Sequence, residues 1–140
     1  MANNNRKFAR QIKAFGKLSA KEANKETRRL ALAGLKGVIT KSPVDEGTFK
    51  GNWNVGINNS DNSIDDDRDD STPLGSFDAS LFNDGSTIIG TFKNGQNIAI
   101  SNNMPYGNRL EYGYSPQSKG MIRRTFEELK NYLKSRNKKV

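Results

Sequence analysis

The sequence predicts one α+β domain, in which a small antiparallel or mixed sheet packs against a long N-terminal helix and a C-terminal helix. Three observations predict it. The chain has 140 residues, which suits a single domain with a modest core. Apolar residues recur at helical spacing near both ends of the chain. Between these ends, short segments alternate apolar and polar residues next to Asn and Gly, which is typical of strands.

The first segment is predicted to be a basic helical arm over residues 1–18, and Gly16 weakens the end of its helix. The domain itself is expected over residues 19–136, followed by a basic tail at 137–140. The apolar face of the arm is Phe8, Ile12, Phe15 and Leu18.

A second, longer helix is predicted to begin at Ser19, because Ser19 and Glu22 have the spacing of a capping box. It should reach about Lys41, since Pro43 disfavours helical backbone just before it. Small residues on its inner face indicate close packing against a sheet or another helix. That face is Ala23, Thr27, Leu30, Ala31, Gly34, Leu35, Val38 and Ile39.

Two strands and a last helix are predicted in the rest of the domain. Residues 42–57 indicate a turn that leads into a strand with Trp53, Val55 and Ile57, and Ile98 and Ile100 alternate along a second strand. Residues 76–93 fit either a helix or a hairpin that turns at Asp84-Gly85. The last helix should run from about Lys119 to Arg136, with an inner face of Met121, Ile122, Phe126, Leu129 and Leu133.

Residues 58–73 are predicted to form a mobile acidic loop, because their carboxylates repel one another and almost nothing can be buried. A calcium loop is the alternative. The spacing lacks the Gly and the terminal Glu of the EF-hand pattern, so we expect no metal site here.

The composition excludes several classes of active site. The chain has no Cys and no His, which rules out thiolate nucleophiles, Cys/His zinc sites and triads with an imidazole base. We therefore expect no enzyme activity and no cofactor. Neither a signal peptide nor a membrane span is expected, because no apolar run is long enough.

Charge is unevenly spread over the chain, whose net value is +8. Residues 1–50 have 12 Lys and Arg against 4 acids, and residues 101–140 have 9 against 3. Residues 51–100 have 2 against 8. Two basic ends thus flank an acidic middle. A basic excess favours polyanions such as DNA, although on helices it is more often a solvated face.

Residues 101–115, SNNMPYGNRLEYGYS, combine three Tyr with Asn and Gly. Pro105 suits the first turn of a short helix, and Gly113 suits its left-handed end. Such a density of aromatic side chains predicts a subunit interface, because Tyr and Arg favour interface centres. The alternative is a small core that joins the last strand to the C-terminal helix. The predicted interface residues are Tyr106, Arg109, Leu110, Glu111, Tyr112 and Tyr114.

Three sequence blocks together resemble the neck, or tail-completion, proteins of tailed bacteriophages. The family pattern has S-P-V-D-T-G and N-W, then N-N-x-P-Y and L-E-x-G-x-S, and last G-M. The first block matches at Ser42, Pro43, Val44, Asp45, Gly47, Asn52 and Trp53, with Glu46 in place of the usual Thr. The second matches at Asn102, Asn103, Pro105, Tyr106, Leu110, Glu111, Gly113 and Ser115, and the third at Gly120, Met121 and Arg123. The resemblance covers about residues 20–130 and favours a helix at 79–93.

The resemblance implies a structural virion subunit that forms a six-fold or twelve-fold ring between portal and tail. Its partners would be portal or adaptor proteins, tail tube or tail terminator proteins, and viral double-stranded DNA in the lumen. The subunit would assemble in the host cytoplasm and reside in the virion. Basic residues expected to face DNA are Lys21, Lys25, Arg28, Arg29, Arg123 and Arg124. The alternative is a regulator that binds nucleic acid without sequence preference, which the basic charge alone suggests.

Overall fold

The computed structural model describes residues 20–44, 47–105, 107–112 and 120–137, and seven elements follow one another along them. They are helix α1 (Ala20–Thr40), helix α2 (Gly47–Gly51), strand β1 (Asn54–Ile57), helix α3 (Ala79–Gly90), strand β2 (Ile98–Ser101), helix α4 (Gly107–Glu111) and helix α5 (Ile122–Asn137). Helix α1 packs against α3, α5 and β2. The predicted α+β class is confirmed. The arm at 1–18 and the cap at Ser19 lie outside the described residues.

The sheet consists of β1 and β2, which pair in antiparallel orientation. Val55 lies opposite Ile100, and Ile57 lies opposite Ile98. Both strands were predicted from their alternating apolar residues, and both are confirmed. The core lies between this sheet and helices α1 and α3. Its buried members are Leu35, Val38, Ile39, Phe49, Trp53, Val55, Ile89, Leu110 and Met121.

Helix α3 settles the ambiguity at residues 76–93 in favour of a helix. The carboxylate of Asp78 caps it by accepting from the amides of Ser80 at 2.9 Å and Leu81 at 3.1 Å. Gly85 lies inside the helix and allows a close approach to the core, because a Cβ there would lie 2.6 Å from Leu35 Cδ2. The hairpin reading of Asp84-Gly85 is therefore wrong.

The inner face of α1 is buried from Gly34 to Ile39, as predicted, but Thr27 is exposed. Thr27 turns its hydroxyl back to the Ala23 carbonyl at 3.0 Å, so it does not contribute to the core. The close packing expected from small residues occurs at Gly37. A Cβ at Gly37 would lie 2.5 Å from Thr125 Cγ2 of α5.

The predicted inner face of α5 is confirmed at Met121 and is wrong at three of its other positions. Met121, just before the helix, and Thr125 are buried, with exposed fractions of 1% and 4%. Ile122, Phe126 and Leu133 were expected inside, yet they are 53%, 63% and 41% exposed. The physical reason is the tight contact with Gly37, which admits the small Thr125 but not a larger side chain.

A short helix, α2, occupies part of the segment that was predicted to be a turn before β1. Its last residue, Gly51, is buried against the loop 58–73, where a Cβ would lie 2.4 Å from the Arg68 carbonyl oxygen. Asn52 follows and fastens the same loop. The side-chain nitrogen of Asn52 donates to the Asp65 carbonyl at 3.0 Å, and its side-chain oxygen accepts from the backbone amide of Asp65 at 2.9 Å.

The acidic loop also has a buried anchor at Asp70, which is 1% exposed. Its carboxylate accepts from the backbone amides of Thr72 and Asp78, both at 3.0 Å. Lys50, also 1% exposed, donates to the carbonyl oxygens of Thr72 and Pro73, both at 3.1 Å. The expectation that almost nothing in this loop is buried is therefore wrong at Asp70, because backbone amides compensate the carboxylate. The mobility of the loop at residues 58–73 stays a prediction.

Candidate assembly surface

The start of α5 is held by one carboxylate from α4. Glu111 Oε1 accepts from the amides of Met121 at 2.9 Å and Ile122 at 2.8 Å, and Oε2 accepts from the amide of Arg123 at 3.2 Å. These are amides at a helix N-terminus, which have no partner within the helix. Glu111 therefore acts as a capping group that reaches α5 from another helix.

Arg123 returns to the same carboxylate and fixes it further. Its Nε lies 3.1 Å from Glu111 Oε2, and its terminal nitrogen donates to the Glu111 carbonyl at 2.7 Å. The guanidinium also lies 4.7 Å from the ring centroid of Tyr112, within cation–π range. The end of α4 and the start of α5 are thus joined by both backbone and side-chain contacts.

Gly120 makes this junction possible. Its φ is +110°, a conformation that L side chains rarely adopt, and a Cβ would lie 3.1 Å from Glu111 Oε2. Glycine is therefore required where the chain approaches the carboxylate.

The pKa of Glu111 is lowered from its ordinary value. Burial alone would raise this pKa, because water is removed from the charged carboxylate. The amides of Ile122, Arg123 and Met121 and the Arg123 guanidinium together outweigh burial, since all of them donate to the ionised form. The junction is consequently built around a charged Glu111.

Asn102 connects the segment between β2 and α4 to helix α2. Its side-chain nitrogen donates to the Phe49 carbonyl at 2.8 Å, and its oxygen accepts from the Met104 amide at 3.1 Å. Phe49 contacts Trp53 edge to face, with ring centroids 5.8 Å apart. The chain between β2 and α4 is therefore fastened to the core below it.

Trp53 completes the connection to α1. Its indole nitrogen donates to Ser42 Oγ at 2.7 Å, and that hydroxyl donates to the Val38 carbonyl at 2.7 Å. Ser42 is fully buried. One hydrogen-bonded region around α2 and α4 thus contains residues of all three sequence blocks: Ser42 and Trp53, Asn102 and Glu111, and Met121.

The predicted interface residues divide into two groups. Arg109 and Tyr112 face solvent, and Tyr112 is 74% exposed. Leu110 and Glu111 are buried within the chain at 6% and 8% exposure, as the alternative of a small core expects, and their place in a subunit interface stays untested. Leu110 belongs to the core, and Glu111 satisfies backbone amides of its own subunit. Tyr106 and Tyr114 lie outside the described residues.

The predicted DNA-facing residues do not form one patch. Lys21, Lys25 and Arg29 are exposed on α1, and Arg124 is exposed near the start of α5. Helices α1 and α5 are antiparallel, because Lys41 bonds Glu128 at 2.9 Å while Arg136 bonds Glu26. The start of α5 therefore lies beside the end of α1, roughly 18 Å or more along the axis from Arg29.

Three of these cations have partners within the chain, and one of them is Arg29, which pairs with Glu26 at 3.3 Å. Arg28 donates to the Phe92 carbonyl at 2.8 Å, and Arg123 is held by Glu111. The six predicted residues therefore lie at two separate sites, and their contact with DNA stays a prediction. Sequence spacing placed Lys21, Lys25 and Arg28 on one side of α1, but it contained no information on how α5 is oriented.

The comparisons with known proteins add no relative. No family model, curated protein or solved structure matches this chain.

The described part of the chain has neither a membrane-spanning helix nor a cluster of metal-binding side chains. None of its helices is long and apolar enough to cross a membrane. In the same residues, no group of three or more acidic side chains is placed to hold a metal ion.

Proposed function

We propose that this chain is a structural virion subunit of a tailed bacteriophage, of the neck or tail-completion class, and that it has no catalytic role. The observation that carries the proposal is the junction built by Glu111. The residues through which the sequence resembles that family supply the contacts that fix α4 to α2 and α5. Residues with this role hold α4 in a fixed position, where its exposed side chains can contact a partner, and they need no reactive group.

Helix α4 exposes Arg109 and Tyr112 to solvent, while its buried residues fix its position. A rigid aromatic residue beside an arginine is typical of interface centres, because few rotors are frozen on binding. A ring requires a head-to-tail contact between two different surfaces of the subunit. Arg109 and Tyr112 supply one of these surfaces in our proposal.

The ring would be six-fold or twelve-fold and would lie between portal or adaptor proteins and the tail tube or tail terminator. Viral double-stranded DNA would pass through its lumen, and the subunit would reside in the virion. The net charge of +8 suits a lumen wall that tolerates phosphates. No cofactor is needed for such a role.

Light scattering and negative-stain electron microscopy of the purified full chain over a wide concentration range test the proposal. We expect association that rises with concentration and ends in closed rings. Mixing with the portal-side or tail-side protein of the same phage should promote it. A compact dimer that neither grows with concentration nor binds either partner would falsify the ring.

One alternative is favoured by a specific observation, the exposed Lys21 and Lys25 on α1 together with the net charge. A nucleic-acid-binding regulator without sequence preference would use them. Such a protein should be a small oligomer that binds duplex DNA tightly at physiological salt in the absence of other virion proteins.

A further inference from the structure

Helix α5 has an exposed apolar row beside the face that packs on α1. The row consists of Ile122, Phe126 and Leu133, which are 53%, 63% and 41% exposed. Their spacing of four and seven residues keeps them on one side of the helix. Leu129 does not belong to the row, because its Cδ1 packs 3.6 Å from the Cβ position of Gly34 in α1. The row thus stays open while α5 is docked on α1, and a contiguous exposed apolar row marks a contact surface.

Three exposed cations flank the row, namely Arg123, Lys130 and Lys134. Since 3.6 residues make one turn, they lie beside the row and away from the face that packs on α1. The Arg123 guanidinium also lies 4.7 Å from the ring centroid of Tyr112. The row and its cations therefore continue the exposed surface of α4.

The acidic loop combines the same apolar character with the opposite charge. Ile64 is 46% exposed and is followed by the exposed Asp65, Asp66 and Asp67. Both neighbours of Ile64 are fastened through their backbones. The side-chain nitrogen of Asn54 donates to the Ser63 carbonyl at 2.8 Å, and Asn52 bonds the backbone of Asp65. Ile64 is therefore held in place with its side chain exposed among carboxylates.

The acidic loop and the row lie on different sides of the subunit. Side chains alternate between the two faces of the sheet. On one face, Ser101 Oγ donates to the Asp61 carbonyl of the loop at 3.1 Å. On the other face, Ile100 Cδ1 lies 3.6 Å from the Cβ position of Gly34, which Leu129 of α5 also contacts. Two different surfaces on different sides are what a head-to-tail contact requires.

We propose that the row on α5 binds the acidic loop of a second copy of this chain. The proposal rests on the ring proposed above and names the surface that meets α4 and α5 of the next subunit. Ile64 of one copy packs between Ile122 and Phe126 of its neighbour. The carboxylates that follow Ile64 then lie beside the cations that flank the row.

Charge favours the acidic loop over a second copy of α5 as the occupant of the row. Two rows in contact would place the same three cations on both sides, and like charges oppose association. Residues 61–67 contain four Asp and no cation, so they complement the row. A contact between unlike surfaces also repeats from copy to copy, whereas a pair of identical surfaces stops at a dimer.

Four single substitutions in the full chain test this contact, and each lowers the net charge by one. Phe126→Asp changes the row, and Ile64→Asp changes the acidic loop. The matched controls are Asn131→Asp, on another side of α5, and Ser60→Asp, in the same loop; all four positions are exposed. In sedimentation velocity, we expect Phe126→Asp and Ile64→Asp each to weaken association at least tenfold. The controls should associate like the natural protein.

An equal mixture of Phe126→Asp and Ile64→Asp is the decisive sample. Each variant retains the surface that the other lacks, so the mixture should form dimers with one contact and grow no further. A mixture that stays monomeric would overturn the proposal.

Cross-linking gives a second readout, because the chain has no Cys. Ile64→Cys mixed with Phe126→Cys should form a disulfide between unlike chains roughly tenfold faster than either variant forms one with itself, since the contact raises the effective concentration of the thiols. Equally fast cross-linking of Phe126→Cys with itself would indicate pairing of two α5 helices and overturn the proposal.

The failure of this contact can be distinguished from the failure of the ring. Normal ring formation by Phe126→Asp and Ile64→Asp would overturn the contact and leave the ring in place. A natural protein that stays monomeric at every concentration would overturn both.

Discussion

Glu111 is the residue on which the junction between α4 and α5 depends. Its carboxylate binds three backbone amides and the Arg123 side chain. Glu111→Gln keeps the shape but removes the charge and one acceptor oxygen. We expect the free energy of unfolding to fall by about 2 kcal/mol, because hydrogen bonds to a charged group contribute more than neutral ones. The melting temperature should fall by roughly 4–8 °C.

The control for this variant is Glu127→Gln. Glu127 lies on the same helix as Arg123 but is exposed and has an ion pair with Lys130 at a long 3.9 Å. Its substitution should change the melting temperature very little. Equal effects of the two substitutions would contradict the role assigned to Glu111.

The free energy of unfolding should depend on pH because of Glu111 and Asp70. The pKa values of these two carboxyls lie below their ordinary values of 4.5 and 3.8. At both sites burial would raise the pKa, and donated hydrogen bonds outweigh it. A carboxyl with a lowered folded-state pKa stabilises the fold above its ordinary value, and this contribution disappears as the pH falls through the folded value. We therefore expect the free energy of unfolding to decrease below about pH 4.5.

Urea unfolding of the natural protein and of Glu111→Gln between pH 7 and pH 3 measures this dependence. The variant should show a shallower loss of stability with acid, because one of the carboxylates with a lowered pKa is gone. Glu127→Gln should retain the slope of the natural protein. Parallel curves for all three proteins would mean that Glu111 does not titrate with folding.

At the scale of elements, α3 depends on the absence of a side chain at Gly85. A Cβ there would lie 2.6 Å from Leu35 Cδ2 and 3.1 Å from Val55 Cγ2, both in the core. Gly85→Ala gains about 1 kcal/mol of helix propensity but overpacks this contact, so we expect a net loss of about 1–2 kcal/mol. Chemical denaturation measures the difference.

Gly90 in the same helix provides the matched control, because a Cβ there would meet nothing within 4 Å. Gly90→Ala should be neutral or stabilising by up to about 1 kcal/mol. A stabilising Gly85→Ala would show that α3 and α1 can separate without cost, contrary to the packing described.

Local patterns in the sequence predicted the elements that have local causes. Pro43 bounded the end of α1, and alternation predicted β1 and β2. Local pattern did not decide between helix and hairpin at Asp84-Gly85, because the glycine serves a long-range contact rather than a turn. The exposed face of α5 was also mispredicted, since the position of Thr125 is set by Gly37, which lies 88 residues earlier in the chain.

At the candidate site, too, the sequence did not predict features that depend on long-range contacts. The segment around α4 was identified from its density of Tyr and Arg, and the alternative of a small core that joins the last strand to the C-terminal helix fits the burial of Leu110 and Glu111. Which residues face outward could not be read from the sequence, because α4 is only five residues long and its orientation comes from Phe49, Met121 and Arg123.

At the scale of the whole molecule, the net charge of +8 predicts DNA binding that falls steeply with salt and ignores sequence. Lys21→Glu with Lys25→Glu changes the exposed basic site of α1. This double variant should weaken binding and reduce the slope of log affinity against log salt by roughly 2, since each neutralised phosphate contributes about 0.9.

Lys130→Glu with Lys134→Glu has the same net charge and serves as the control for DNA binding measured by fluorescence anisotropy. It should bind more tightly than the α1 variant if α1 contacts phosphates. Identical curves would show that only the total charge matters. A strong preference for one duplex sequence would favour a regulator over a lumen wall.

Ring assembly is the property that depends on the molecule as a whole, and Arg109 on α4 tests it. Its side chain is exposed while the neighbouring Leu110 and Glu111 hold the helix from below. Arg109→Glu should therefore leave the melting temperature nearly unchanged but abolish concentration-dependent association, because a reversed charge in a desolvated contact costs several kcal/mol. Lys93→Glu, an equal charge reversal at an exposed position after α3, should associate like the natural protein. Sedimentation velocity of the three proteins, followed by incorporation into particles, distinguishes the outcomes. Normal incorporation of Arg109→Glu would show that α4 is not the ring contact, and an equal loss in both variants would point to bulk charge instead.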